Sequence, residues 1–384
     1  MTSSPQDSPP SQAPAVWLPT ATAAYEQMLG ALATAMASVR FEFYIYKADR
    51  TGDRFRQALV AAAARGAQVR VLLDAFGSSG LPPDYWQGLT QAGGQMAYFN
   101  PLSVVRLPIR SHRKLLVVDD WIAIIGGFNI GDEYEGDGFT RGWRDLGLAI
   151  QGPAVLRLAS SFELLWQHRN FRHFRMIRLR RSVWRHRKKA GAGTEVMPIG
   201  LGMGRNTFDQ SLLKALRGAQ EVRIVASYFA PSFRLRRALM RAAHRGSRVR
   251  LILAGATDVP FVQAGARSLY RRMLAAGIEI AEYDAQVLHA KLGIIDDTVY
   301  VGSANLDARS LGLNYEIMIR RLDPALAAQG REIFDQDWGR SRPILASAWR
   351  KYWTWTRQVH GMVALFFITK IDPWYAHRQL RHLT

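Results

Sequence analysis

The sequence has no cysteine. That excludes disulfides, thiol nucleophiles and cysteine-ligated metals, and it fits a protein facing a reducing compartment without requiring one. Acidic residues are scarce: 31 Asp and Glu stand against 51 Lys and Arg, for a formal charge of +20. A surface of this sign attracts polyanions, either nucleic acid or an anionic membrane, and charge alone does not choose between them. Long hydrophobic runs are also missing. The longest candidate, GMVALFFI at residues 361–368, falls well short of the roughly 20 apolar residues that span a bilayer. The N-terminal stretch MTSSPQDSPPSQAPAV is rich in Ser and Pro and holds no apolar core. It reads as a disordered tail rather than a signal peptide.

What is present is enough for a full core: 384 residues, 48% of them hydrophobic. The chain reads as two similar halves. FEFYIYKADRTGDRFRQALVAAAARGAQVRVLLDA at 41–75 and VRIVASYFAPSFRLRRALMRAAHRGSRVRLILAG at 222–255 each give strand, turn, amphipathic helix, an Arg-Gly stop and a second strand. Gly66 and Gly246 suit the left-handed position that ends a helix. A duplication of this length predicts two α/β lobes about a pseudo-twofold axis, each a mixed sheet flanked by helices, with a site assembled at their interface.

Each half carries one copy of a second pattern. SHRKLLVVDD (111–120) holds His112, Lys114 and Asp119; LHAKLGIIDD (288–297) holds His289, Lys291 and Asp296, in the same frame. On a strand, positions two apart share a face, so each histidine is expected beside its lysine. Such a pair is costly to bury unless an anion joins it. The lysine offers fixed positive charge to phosphate oxygens, and the imidazole can act as nucleophile or as acid and base near neutral pH. Gly126, Gly127 and Asn129 follow the first copy, and Gly302, Ser303 and Asn305 the second. Small residues admit a phosphate to the backbone, and Asn and Ser can donate to it. Farther on stand Asp145 and Glu316, each able to orient a histidine through Nδ1. His-Arg fragments around 168–187 are not spaced as metal ligands, and neither a metal nor another cofactor is expected.

The paired frames resemble the HKD motifs of the phospholipase D superfamily, and the text around them is similar to bacterial cardiolipin synthases. DAFGS (74–78), FNP (99–101), SYFAPS (227–232) and GSANLDARSLGLNYE (302–316) carry that likeness over roughly residues 38–345. Gly127 departs from the serine of many superfamily members, in the direction of the cardiolipin synthases. The resemblance implies a duplicated phospholipase D-like fold and a metal-free, two-step phosphodiester exchange through a phosphatidyl-histidine. By analogy His112 is the nucleophile and His289 the general acid, although the motifs are too symmetric to assign the roles by themselves. Lys114, Lys291, Asn129 and Asn305 would clamp phosphate oxygens. Asp119 and Asp296, members of the catalytic motif, are read as structural, because an acid beside a phosphate would repel it.

Two further segments bear on the polyanion. RNFRHFRMIRLRRSVWRHRKK (169–189) interleaves aromatics with ten basic residues and no acid, and Arg172, Arg175 and Trp184 are expected at a lipid surface. WRKYWTWTRQVHGMVALFFITKIDPWY (349–375) brackets a short apolar run with tryptophans. It suits either a helix docked on the core or an interfacial anchor through Trp353, Trp355 and Phe366. The expected organisation is a tail at 1–16, a first lobe at 17–165, a basic linker at 166–195, a second lobe at 196–345 and a membrane-associating segment at 346–384. The expected function is phosphatidyl transfer from one phospholipid to a phosphatidylglycerol-type acceptor, making cardiolipin, peripheral to an anionic bacterial inner membrane at its cytoplasmic face. A phospholipase D-type hydrolase, or a nuclease using the basic strip as a track, is the alternative; nucleic acid is not the expected partner.

Overall fold

A computed structural model describes residues 13–101, 109–170, 193–200 and 206–371. The basic strip, with Arg172, Arg175 and Trp184, lies outside the described residues. The first lobe contains strands β1 (Ala15–Leu18), β2 (Ser38–Phe43), β3 (Gln68–Asp74), β4 (Gln95–Phe99), β5 (Leu115–Val118), β6 (Ile122–Gly126) and β7 (Gly147–Gln151). The second contains β8 (Thr194–Ile199), β9 (Glu221–Ala226), β10 (Phe229–Ala230), β11 (Arg248–Ala256), β12 (Glu279–Val287), β13 (Lys291–Ile295), β14 (Thr298–Gly302), β15 (Leu306–Asp307), β16 (Glu316–Leu322) and β17 (Arg342–Pro343). β1 begins inside the stretch expected as tail, where Ala15 to Leu18 pair antiparallel with β7.

The sheet orders show the duplication. The first is β1-β7-β6-β5-β2-β3-β4 and the second is β17-β12-β11-β9-β13-β14-β16-β8. Read from opposite ends the seven common strands follow one order, and β17 is an addition at the second sheet's edge. In both, the three strands β2, β3, β4 or β9, β11, β12 run parallel, while the motif hairpin joins antiparallel. The helices Arg50–Ala64 and Phe233–His244 start on side-chain caps, Asp49 and Ser232. Both end alike: Gly66 (φ 97°) and Gly246 (φ 95°) are left-handed, and Ala67 and Ser247 each return a hydrogen bond to the carbonyl five residues back, on Ala62 and Ala242. This is the stop that a glycine permits without strain.

Three apolar cores result. One fills the outer side of each sheet, and the third is shared, with Leu115, Val117 and Leu148 of the first sheet packed with Leu292, Ile294 and Ile317 of the second. Trp17 seals this seam, donating from its indole to the Leu326 carbonyl at 3.0 Å. With each such side chain worth roughly 1.5–3 kcal/mol on burial, the lobes are joined through their core, which makes a precise site possible between them.

Candidate active site

The two histidines are placed by backbone pairing across the lobes. Ser111 forms a parallel bridge with Tyr315, and Arg144 with Leu288. The His112 amide donates to the Tyr315 carbonyl at 2.8 Å, and the His289 amide to the Arg144 carbonyl at 2.8 Å. Because of this, the motif histidines lie ahead of their strands: β5 begins at Leu115 and β13 at Lys291. Their side-chain directions follow from the cross-lobe bridge, and not from strand alternation as the spacing alone suggests.

The residues that receive these bonds directly precede the two acids, so the acids exchange lobes. His112 Nδ1 lies 3.2 Å from Glu316 Oε2, and His289 Nδ1 lies 2.6 Å from Asp145 Oδ2. The two imidazole rings stand 6.3 Å apart between centroids. Both lysines curl back onto their own motif: Lys114 Nζ donates to the His112 carbonyl at 2.7 Å, and Lys291 Nζ to that of His289. All six side chains are buried.

Burial decides their protonation. It pulls both histidines well below their ordinary value, and the two lysines push them further down. It lowers Lys114 strongly and Lys291 to about 8, against the pull of the carboxylates. It raises Asp145 to about 7 and Glu316 to about 8. Every charged form is therefore held reluctantly, and an arriving anion would favour the protonated histidines and lysines.

The supporting residues differ between the halves for a steric reason. Ser303 Oγ donates to Glu316 Oε2 at 2.6 Å and accepts from the Ile317 amide at 3.0 Å. At the matching place in the first lobe, a Cβ on Gly127 would sit 2.3 Å from Asp145 Oδ1. The shorter acid occupies the space a serine would need. Asn129 Oδ1 accepts from the Ile45 amide at 3.2 Å, and Asn305 Oδ1 accepts from Ser227 at 2.9 Å. Both are buried beside the histidines' hairpins.

Asp119 and Asp296 stand at the far ends of β5 and β13, about 17 Å of strand from the lysines. Both adopt positive φ, 51° and 49°. Asp119 accepts from the amides of Met36, Ala37 and Ser38, and Asp296 from those of Gln220 and Glu221. They tie each hairpin to the head of the neighbouring strand and are not part of the histidine–lysine cluster.

The first motif also rests on a charged layer that was not read from the sequence. Arg113 reaches Glu42 at 3.1 Å, Ser111 Oγ donates to Glu42 at 2.9 Å, and the Ser111 amide donates to Asp74 at 2.8 Å. In the second lobe Leu288 and Ala290 stand where Ser111 and Arg113 do, and the layer is apolar. Arg144, the residue that bridges Leu288, forms a buried pair with Asp337 at 2.7 Å. The signals were the serine and arginine within SHRK, and an arginine directly before Asp145.

The C-terminal helix Trp355–Phe366 packs one face on the helix Pro260–Ala275, so closely that a Cβ on Gly361 would lie 2.7 Å from the Ala264 carbonyl. Its other face is exposed: Trp355 (78%), Met362, Val363 and Phe366 (54%), with Phe367 just beyond. Trp353 departs from its expected lipid contact. It is half-buried, stacks on Trp349 and donates to Gln358 at 2.7 Å, so it docks the helix. No helix among the described residues is long and apolar enough to cross a membrane.

Two facing histidines, each backed by the other lobe's acid and flanked by a lysine on a duplicated mixed sheet, place the chain in the phospholipase D superfamily. The family model described as cardiolipin synthase, PLD-like domain, matches residues 28–166 and 212–338, and the chain belongs to that family. It is 31% identical over 320 residues to the major cardiolipin synthase ClsA of Bacillus subtilis, covering 82% of this chain and 66% of that protein. To cardiolipin synthase B of Shigella flexneri it is 34% identical over 299 residues, covering 76% of this chain and 72% of that one. To cardiolipin synthase A of Pseudomonas aeruginosa it is 34% identical over 327 residues, 83% of this chain and again 66% of the relative. The chain thus spans just under two thirds of two of these relatives. In fold it is similar to the crystal structure of phosphatidylserine synthase from Haemophilus influenzae Rd KW20, with a TM-score of 0.70 over 94% of both chains at 16% identity. It is also similar to polyphosphate kinase from Porphyromonas gingivalis, with a TM-score of 0.56 over 89% of this chain and 55% of the other at 15% identity.

Proposed function

We propose that this protein is a phosphatidyltransferase that makes cardiolipin from phospholipids. The observation that carries the reading is the exchange of acids between lobes, which gives each histidine an oriented Nδ1 and leaves Nε2 as its reacting atom. In the first half-reaction Nε2 of one histidine attacks the phosphorus of a donor phospholipid. The bond from phosphorus to the headgroup oxygen breaks, and the second histidine, protonated, gives its proton to that oxygen as the alcohol leaves. In the second, the hydroxyl of a phosphatidylglycerol-type acceptor loses its proton to the same, now neutral, histidine. Its oxygen attacks phosphorus, the P–N bond breaks, and the first histidine is regenerated. The lysines supply fixed charge to the phosphoryl oxygens, with Asn129 and Asn305 as further donors.

The closer Asp145–His289 contact suits the partner that takes up the proton once the anionic donor is bound, and the looser Glu316–His112 contact suits a neutral nucleophile. His112 is therefore the attacking residue in this scheme. The net charge of +20 and the exposed stripe of the C-terminal helix support a protein that lies on an anionic membrane surface, with that helix in the plane of the headgroups. The inner membrane's cytoplasmic face supplies both the anionic lipids and the acceptor.

Incubation with vesicles containing phosphatidylglycerol, followed by mass spectrometry, is expected to yield cardiolipin and glycerol. Phosphatidic acid alone would make the protein a hydrolase, and cleavage of plasmid DNA without a lipid product would make it a nuclease.

A further inference from the structure

A second cavity lies away from the histidines, between the sheet edge and the C-terminal helices. Its volume is about 310 Å³. Glu282 sits at its base, fully buried, where it accepts from Arg267 Nε and Nη2 (2.7 and 2.8 Å), Tyr270 (3.1 Å) and Arg342 Nη2 (2.6 Å). That carboxylate is saturated. Arg342 Nε is also taken, by Asp284 at 3.0 Å. The Nη1 groups of both arginines have no hydrogen-bond partner among the described residues. Trp349, which lines the same cavity and is only 4% exposed, has a buried indole N–H with no acceptor.

The wall opposite is apolar, with Ile344 buried and Leu345 exposed at the rim (62%). The cavity thus offers guanidinium donors, one carboxylate that is already saturated, the Tyr352 hydroxyl and a hydrocarbon lip.

We infer that this cavity binds an oxyanion carried on a hydrocarbon, a phosphate-bearing lipid headgroup whose oxygens accept from Arg267 and Arg342 beside the Trp349 ring. It is a second phosphate site, separate from the one between the histidines. The inference rests on the cavity and stands whether or not the histidines transfer a phosphatidyl group.

The test uses the full chain carrying His289→Ala, so that no ligand is consumed. The ¹⁵N indole signal of Trp349 is assigned by its loss in Trp349→Phe, with the remaining indole signals reporting that the variant is folded. Dihexanoyl phosphatidylglycerol, inorganic phosphate and phosphate-free dihexanoylglycerol are titrated separately to about 10 mM, enough to detect a millimolar site. Saturable movement of the Trp349 signal is expected with the phospholipid, and Arg342→Gln should weaken it about tenfold, the loss of one charged hydrogen bond. Half-saturation at the same concentration of inorganic phosphate would identify free phosphate as a sufficient ligand. Half-saturation at least about tenfold weaker would identify the lipid. No movement with either, equal movement with dihexanoylglycerol, or binding unchanged by Arg342→Gln would overturn the inference.

Discussion

Asp145 of the first lobe and His289 of the second, 144 residues apart in sequence, meet at 2.6 Å. Glu316 and His112 repeat the relationship in reverse. Neither lobe therefore holds a complete histidine–acid unit, and both units are assembled only at the seam between the lobes.

Replacing either acid by its amide should spare folding and damage turnover. In Asp145→Asn and Glu316→Gln the amide can present the wrong partner to Nδ1 and stabilise the wrong tautomer, an effect worth about 10²–10⁴ in kcat where a carboxylate orients a catalytic histidine. KM should change little. Thermal melting should show no loss of stability, since a buried carboxylate that resists ionisation contributes little to the fold. Steady-state kinetics on phosphatidylglycerol, read beside the melting curves, checks both.

Gly127→Ser restores the residue that stands at the matching place in the second lobe, and it should be harmful. Its Cβ would fall 2.3 Å from Asp145 Oδ1, so Asp145 must shift and take His289 with it. A loss of about tenfold or more in kcat and about 1–3 kcal/mol of stability is expected from overpacking, measured by kinetics and chemical denaturation. Ser303→Ala removes a donor from Glu316 without a clash and should be milder in stability.

The duplication, the two HKD frames and the glycine stops at 66 and 246 were legible because each is a local pattern repeated at matched spacing. Asp145 and Glu316 were legible as candidate orienters. Their exchange was not, since it depends on Arg144 pairing with Leu288 and Ser111 with Tyr315, contacts with no trace in local periodicity. The position of His112 ahead of β5 has the same origin. Trp353 illustrates another limit: composition marks a tryptophan as interfacial, but only packing shows that its indole stacks on Trp349.

Activity should show different pH limits for free and bound enzyme. Burial and the lysines hold the histidines well below their ordinary value in the empty site, and a bound phosphodiester anion reverses that pressure. The alkaline limb of kcat/KM, which reports the free enzyme, should therefore lie at lower pH than that of kcat. Coincident limbs in the two profiles would mean that substrate charge does not set the histidines' protonation.

Lys291 should leave a mark on stability at high pH. The unfolded chain keeps this proton to about 10.5, whereas the folded protein releases it from about 8. Between those values the unfolded state binds more protons, so stability rises with pH, and the penalty is fully present below about 8. Relative to Lys291→Met, the wild type should gain on the order of 3 kcal/mol across that window. Urea denaturation of both proteins at several pH values measures the difference.

The central claim is that one phosphate is worked on by one histidine from each lobe, both needed in both half-reactions. The direct measurement is cardiolipin formation by His112→Ala and His289→Ala, each compared with wild type on phosphatidylglycerol vesicles by mass spectrometry. Both variants are expected to lose nearly all turnover while remaining folded. If either kept more than about a tenth of the activity, a barrier change under about 1.4 kcal/mol, the two-histidine mechanism would be contradicted.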